Sequence, residues 1–170
     1  MAEGVLLYLV RHGIAADRGD KYPDDATRPL TPRGVSRLKQ IAAGLVALDV
    51  RLDAVLTSPY VRARQTAEVL AQAWPRPPRI VDVPALAVGG KPAAVIEELG
   101  RHGKRNSLAL VGHAPAIGEL AARLIGGRRA VEFSKGAVCC VEVDQLPPSG
   151  AGALRWFITP RMLRRLARTG

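Results

Sequence analysis

Val5-Leu6-Leu7-Tyr8-Leu9-Val10-Arg11-His12-Gly13 is the stretch on which the fold turns. An unbroken apolar run without helical spacing, cut off by charge and glycine, is the pattern of a strand buried on both faces that stops abruptly in a polar turn. A strand covered on both faces needs helices above and below its sheet, so helices and further strands should alternate downstream.

The rest of the chain meets that requirement. After an aperiodic Asp-, Gly- and Pro-rich loop over residues 16–28, Thr31-Pro32 opens a helix running to about Leu48. Thr caps the free amides, and Pro occupies the first helical position, where its missing N–H costs nothing. Leu38, Ile41, Leu45 and Leu48 recur at helical spacing and should face the core, with Arg37 and Lys39 outward. Residues 54–56 form a second strand ending at Thr57-Ser58-Pro59, and 61–73 a second helix. A proline-rich break over 74–78 leads to a strand at 79–83, a loop at Gly89-Gly90 and a helix over 92–102. Residues 108–111 form a strand ending on Gly112-His113, followed by a helix over 116–125. Residues 137–143 and 154–158 are β-rich runs joined by Pro147-Pro148-Ser149-Gly150, to which an antiparallel pairing is open, and a basic helix over 160–168 closes the chain. This order predicts an α/β fold, three layers α/β/α around a mostly parallel central sheet. At 170 residues, one domain spanning 1–170 can bury a core without disulfide or metal staples.

In open α/β sheets ligands gather at the carboxyl ends of the strands. His12 and His113 both fall at such ends, each beside a glycine, whereas His102 lies between Arg101 and Lys104 and reads as a solvated helix residue. A lone histidine in a turn is most simply a hydrogen-bonded structural residue. Two at separate strand ends, with an arginine at a helix start, form a constellation that core packing does not explain. A neutral imidazole is a competent nucleophile toward phosphorus. Guanidinium groups hold phosphoryl oxygens with forked hydrogen bonds, and Arg11 and Arg62 are the candidates. Arg62 and Arg64 stand near a helix start, where positive charge opposes the helix dipole, so Arg62 either points into solvent or is held against an anion.

The formal net charge of +10 concentrates anions around the molecule, which suits a phosphorylated metabolite, an acidic phosphoprotein or nucleic acid. Nucleic acid is the least favoured of these, since no recognised module is present and aromatic residues make up 4%. Arg161, Arg164, Arg165 and Arg168 follow helical spacing with Leu163 and Leu166 turned inward, and read as the wet face of a helix. The alternative is a dock for an acidic phosphoprotein. Adjacent Cys139 and Cys140 point to opposite faces of a strand and read as core. Asp17, Asp20, Asp24 and Asp25 lack calcium-loop spacing and read as a solvated acidic loop, so no metal is expected. Residues 1–10 have only a short apolar run preceded by Glu3, without a basic leader, and no run is long enough to cross a bilayer. The expectation is a cytoplasmic protein.

Leu9-Val10-Arg11-His12-Gly13 resembles the signature of the histidine phosphatase superfamily, which also holds the cofactor-dependent phosphoglycerate mutases. Arg28-Pro29-Leu30-Thr31-Pro32-Arg33-Gly34 resembles the family's second block, Thr57-Ser58-Pro59-Tyr60-Val61-Arg62-Ala63-Arg64-Gln65-Thr66-Ala67 its third, and Val111-Gly112-His113 its fourth, in the family's order. The compact length and the ending Leu154-Arg155-Trp156-Phe157-Ile158-Thr159-Pro160 look most like the small bacterial phosphohistidine phosphatases of the SixA type. The resemblance implies a phosphoglycerate mutase-like fold and phosphoryl transfer to His12, with Arg11, Arg62 and His113 binding the phosphoryl oxygens. No cofactor is required. Arg28 is a secondary candidate for substrate binding, with a salt bridge to a nearby Asp as its alternative, and Ser58 reads as an N-cap.

Larger relatives place a glutamate soon after a strand in the middle of the chain, where it protonates the departing alcohol. Residues 84–90 here hold no carboxylate, and Glu97 and Glu98 lie further on, within a helix. General acid catalysis typically contributes about 10²–10⁴-fold, so alkoxide leaving groups should be poor. A phosphoramidate such as protein phosphohistidine departs as imidazole, which can carry its own proton. The sequence therefore points to a phosphohistidine-bearing protein as substrate. The competing readings are a broad phosphomonoesterase whose acid reaches the site from elsewhere, and a polyanion-binding protein.

Overall fold

The computed structural model describes residues 4–169. Met1, Ala2 and Glu3, part of the stretch read as lacking a leader, lie outside the described residues. Six strands form one sheet: β1 (Val5–Arg11), β2 (Ala54–Thr57), β3 (Arg79–Asp82), β4 (Ser107–Gly112), β5 (Val138–Val143) and β6 (Ala153–Ile158). Their spatial order is β3-β2-β4-β1-β5-β6. The pairs β2·β3, β2·β4 and β1·β4 are parallel, and β5 runs antiparallel to both β1 and β6. The mostly parallel sheet is as expected, and the last two strands take the antiparallel pairing open to them.

Among the described residues five α-helices cover the sheet: α1 (Pro32–Ala47), α2 (Val61–Ala71), α3 (Pro92–Leu99), α4 (Ala116–Leu124) and α5 (Pro160–Leu166). The apolar side chains divide into two cores, one on each face of the sheet. Leu7, Leu9, Leu56 and Leu110 point to the face under α3 and α4; Val10, Val55, Ala109 and Val111 point to the face under α1, α2 and α5. Cys139 and Cys140 split the same way, buried and unbridged. The same local signal starts two of the helices. Thr31 accepts from Gly34 N at 3.0 Å ahead of Pro32, and Thr159 accepts from Met162 N at 3.4 Å ahead of Pro160.

Three expectations need correction. Leu48 lies past the end of α1 and is exposed rather than core-facing, because the chain turns at Asp49, which adopts φ 56°. The helix expected over 92–102 tightens after Leu99 into a 3₁₀ turn over Gly100–His102. His102 there is largely covered, its Nε2 3.6 Å from Glu98, instead of solvated. No helix among the described residues is long and apolar enough to cross a membrane.

Candidate active site

Three neighbouring strands end together. Along β2-β4-β1, ladder hydrogen bonding runs one residue past the strands: Ser58 N donates to the Val111 carbonyl and His12 N to the Gly112 carbonyl, each at 3.0 Å. Ser58, His113 and His12 are thereby set side by side. The two imidazole centroids are 5.1 Å apart, close to one strand spacing. The turn at Gly13 packs close against α1, where a Cβ would sit 2.6 Å from Leu38 Cδ1.

His12 is 5% exposed. Its Nδ1 lies 2.7 Å from the Gly13 carbonyl oxygen, which can only accept, so Nδ1 carries the proton and Nε2 is unprotonated. Arg62 Nε donates to that nitrogen at 3.3 Å. Burial above all, joined by the nearby His113, Arg62 and Arg11 charges, pushes His12 down to about 3, although the Gly13 bond acts the other way. His113, 3% exposed, is pushed down to about 4, chiefly by burial and then by Arg62. Both imidazoles are neutral near neutral pH.

His113 Nε2 lies 2.7 Å from Ser58 Oγ, which also accepts from Tyr60 N at 3.2 Å. His113 Nδ1 is buried without a hydrogen-bond partner among the described residues. Ser58 is not the helix cap it was expected to be. The N-cap of α2 is Tyr60, and the Ser58 hydroxyl ties that turn to His113. The Tyr60 ring meets His113 edge-on at 5.1 Å and lies 5.2 Å from the Arg62 guanidinium carbon.

Arg62, in the first turn of α2, is 3% exposed, and the anion its position demands is internal. Its Nη1 donates to the Asp25 carbonyl at 2.6 Å and its Nη2 to Asp25 Oδ2 at 3.0 Å. Arg28 Nε holds Asp25 Oδ1 at 2.8 Å, while Arg28 Nη1 donates to the Ala16 carbonyl. For Arg28 the salt-bridge alternative is the one present. The acidic loop is not wholly solvated either: Asp24, N-capping a 3₁₀ turn at Asp25–Thr27, sets the Asp25 carboxylate against two arginines. Burial alone would raise the Asp25 carboxyl, but hydrogen bonds from Arg62 and Arg28 outweigh it and hold the group below the ordinary carboxylate value. Arg64, by contrast, faces outward in ion pairs with Glu68 and Asp82.

Arg11 donates from Nη1 to the Phe133 carbonyl at 2.7 Å, its Nε is buried without a partner among the described residues, and burial lowers its affinity for its proton. Thr66 links the parts. Its hydroxyl accepts from Gly13 N at 3.1 Å and donates to the Arg62 carbonyl at 2.7 Å, one helical turn back. Of these groups sequence reasoning gave Thr66 no role and misread Asp25 as part of a solvated loop. Thr66 stands at i+4 from Arg62, a usable signal; for Asp25 the one hint was the salt bridge weighed for Arg28, and nothing local tied it to Arg62. Residues 84–90 hold a 3₁₀ turn at Pro84–Leu86 and no carboxylate, and Glu98 on α3 is engaged by Arg101. No cluster of His, Cys, Asp and Glu suited to a metal ion occurs among the described residues.

The model of the histidine phosphatase superfamily (branch 1) matches residues 7–87. The phosphohistidine phosphatase SixA of Escherichia coli strain K12 is 30% identical over 161 residues, covering 93% of this chain and 96% of its own. The chain belongs to the histidine phosphatase superfamily. It is a phosphoric-group hydrolase of the SixA type, with the phosphoglycerate mutase-like fold. The structure of the protein histidine phosphatase SixA complexed with tungstate superposes with a TM-score of 0.83 at 29% identity, covering 94% of this chain and 99% of that one. An uncharacterised protein of Picosynechococcus sp. is 44% identical over 125 residues, 72% of this chain and 74% of that protein.

Proposed function

We propose that this histidine phosphatase removes the phosphoryl group from phosphohistidine on a protein, through a phosphoryl-His12 intermediate. One observation carries the reading: a buried His12 whose unprotonated Nε2 accepts from Arg62 shares that arginine with a carboxylate, Asp25, that Arg62 and Arg28 keep ionised. The nucleophile is ready, and the nearby carboxyl group holds no proton to give.

The Nε2 lone pair attacks phosphorus, the bond from phosphorus to the substrate imidazole breaks, and its electron pair stays on the departing nitrogen. A phosphoimidazole protonated at its other nitrogen leaves as neutral imidazole and needs no acid. An alkoxide would forgo the roughly 10²–10⁴-fold that general acid catalysis contributes. Water then attacks phosphoryl-His12, phosphate takes the water oxygen with its protons and leaves as dihydrogen phosphate, and the electron pair of the broken N–P bond returns to His12 Nε2. Arg11 and Arg62 hold the phosphoryl oxygens, and Arg28 supports substrate binding by steadying Asp25. His113 acts as a neutral donor: when the Ser58 hydroxyl donates to Nε2, the proton remains on the unpartnered Nδ1. The likeness to a SixA named for phosphohistidine, and to a SixA structure holding tungstate, a tetrahedral oxyanion like phosphate, supports the same reading.

The test is phosphate release from a phosphohistidine-bearing protein and from a sugar phosphate, by the wild type and His12→Ala. The expected result is a preference for phosphohistidine of about 10²-fold or more, set by the missing acid, and no release by the variant. A preference for the sugar phosphate would establish a broad phosphomonoesterase instead. Release that persists in His12→Ala would remove His12 from the chemistry.

A further inference from the structure

A second feature lies at the same end of the sheet. The register runs from Val10 of β1 to Val138 of β5 to Ile158 of β6, so the start of α5 stands beside the His12 turn, two strand spacings or about 10 Å across the sheet. Between them opens a hollow of about 160 Å³ that begins at Gly13 and Ile14 and is walled by Arg37, Lys135, Arg161 and Arg164. Arg33, in the first turn of α1, adds a further charge close enough to act on Arg37, which is held below the usual arginine value by loss of water and by the charges of Arg33 and Arg164.

These cations are unopposed. The ion pairs among the described residues join Arg28 and Arg62 to Asp25, Arg64 to Glu68 and Asp82, Arg101 and His102 to Glu98, and Arg155 to Glu142. None takes in Arg33, Arg37, Lys135, Arg161 or Arg164. Arg164 is half-buried, and its Nε is shut off from water with no acceptor among the described residues. A wet helix face does not account for that. An arginine whose nitrogen is dehydrated and unpaired is costly unless an anion completes it.

We propose that this groove docks an acidic segment of the phosphorylated protein substrate, carboxylates of the partner filling the cation ring while its phosphohistidine reaches His12. The inference rests on the protein-substrate reading above. A partner patch of about 800 Å² reaches about 16 Å from its centre, so one ordinary interface centred on the phosphohistidine covers the groove. An apolar floor of Ile14, Leu38, Ile41 and Pro160 beneath a cationic rim favours a peptide with acidic and apolar side chains over a nucleic acid backbone.

The experiment pairs binding with turnover for the wild type, R161E/R164E and, as a charge-matched control, R128E/R129E beyond α4 on the other face. Binding of a fluorescent glutamate-rich peptide should weaken about tenfold or more in R161E/R164E, through lost charge complementarity, and hold in the control. The kcat/KM for a phosphohistidine protein should fall in parallel, mainly through KM, while phosphoramidate turnover is kept. Equal peptide affinity in wild type and R161E/R164E overturns the groove, whatever the enzyme hydrolyses. Tighter binding of a DNA oligonucleotide of matched charge, lost in the same variant, overturns the acidic-protein assignment. Wild type that cleaves phosphoramidate but no phosphohistidine protein fails the substrate reading, and with it this groove as a substrate dock, even if the peptide still binds.

Discussion

At the residue scale, the site depends on which hydrogen each nitrogen carries. Gly13 accepts from His12 Nδ1 through its carbonyl and donates its own N–H to Thr66, so the glycine turn is tied at both ends. Thr66→Val keeps the shape but leaves the Gly13 N–H buried without an acceptor, a penalty of about 1–3 kcal/mol. Urea unfolding should register that loss, and kcat should drop with it as the turn carrying His12 loosens. Thr66→Ser should restore both; a Thr66→Val enzyme with wild-type kcat would show that the turn holds itself. The pH profile is a second residue-scale prediction. With His12 near 3 and His113 near 4, the free enzyme's kcat/KM should show no limb near the ordinary histidine value of 6.5 that belongs to either imidazole. A limb there that vanishes in His113→Gln would contradict the neutral donor. His12, His113, Arg11 and Arg62 were legible because glycine, strand end and helix start mark them locally. Asp25 was not, since its meaning comes from contact with Arg62 across 37 residues. Ser58 was misjudged for a related reason: a serine before a helix start suggests a cap locally, whereas its bond to His113 is distant and leaves no local sign.

At the element scale, the strands and helices were largely readable, because each has its own period, cap or breaker. Errors sit where packing sets the ending, as at Leu48 and at the 3₁₀ turn after Leu99. What no local pattern announced is how closely α1 and α5 approach. Gly44 of α1 lies directly against the Leu163 carbonyl of α5, so that a Cβ there would overlap backbone. Gly44→Ala is therefore a contest. Removing a helical glycine favours the helix by up to about 1 kcal/mol, whereas overpacking typically costs about 1–3 kcal/mol. A backbone carbonyl cannot swing aside like a side chain, so the cost should win and the melting temperature fall. The shifted α5 should also weaken acidic-peptide binding, since Arg161 and Arg164 ride on it. A more stable Gly44→Ala protein would mean that α5 moves away freely.

At the scale of the whole molecule, the strand order decides that there is a site at all. β4 and β1 are neighbours although most of the chain lies between them, and only that adjacency joins His12 to His113. Long-range pairing leaves no periodic trace, so the α/β layering could be read from sequence while the order β3-β2-β4-β1-β5-β6 could not. The same adjacency makes the fold sensitive to acid. In the unfolded chain each imidazole binds a proton below about 6.5, whereas in the folded chain His12 and His113 stay neutral to about 3 and about 4. Their folded values are depressed, so the stability tied to keeping them neutral is complete above the unfolded value and is lost as pH falls from about 6.5 toward about 3. Asp25, also depressed, works in the same direction at the lower end of that window. Within it each buried imidazole adds about 1.4 kcal/mol per pH unit to the slope of stability against pH. Urea titrations of the wild type and His12→Gln between about pH 6 and pH 4.5 should therefore differ in slope by about that amount, the variant being the less acid-sensitive. Parallel slopes would mean that His12 already binds a proton in the native state, and the unprotonated Nε2 on which phosphoryl transfer depends would go with them.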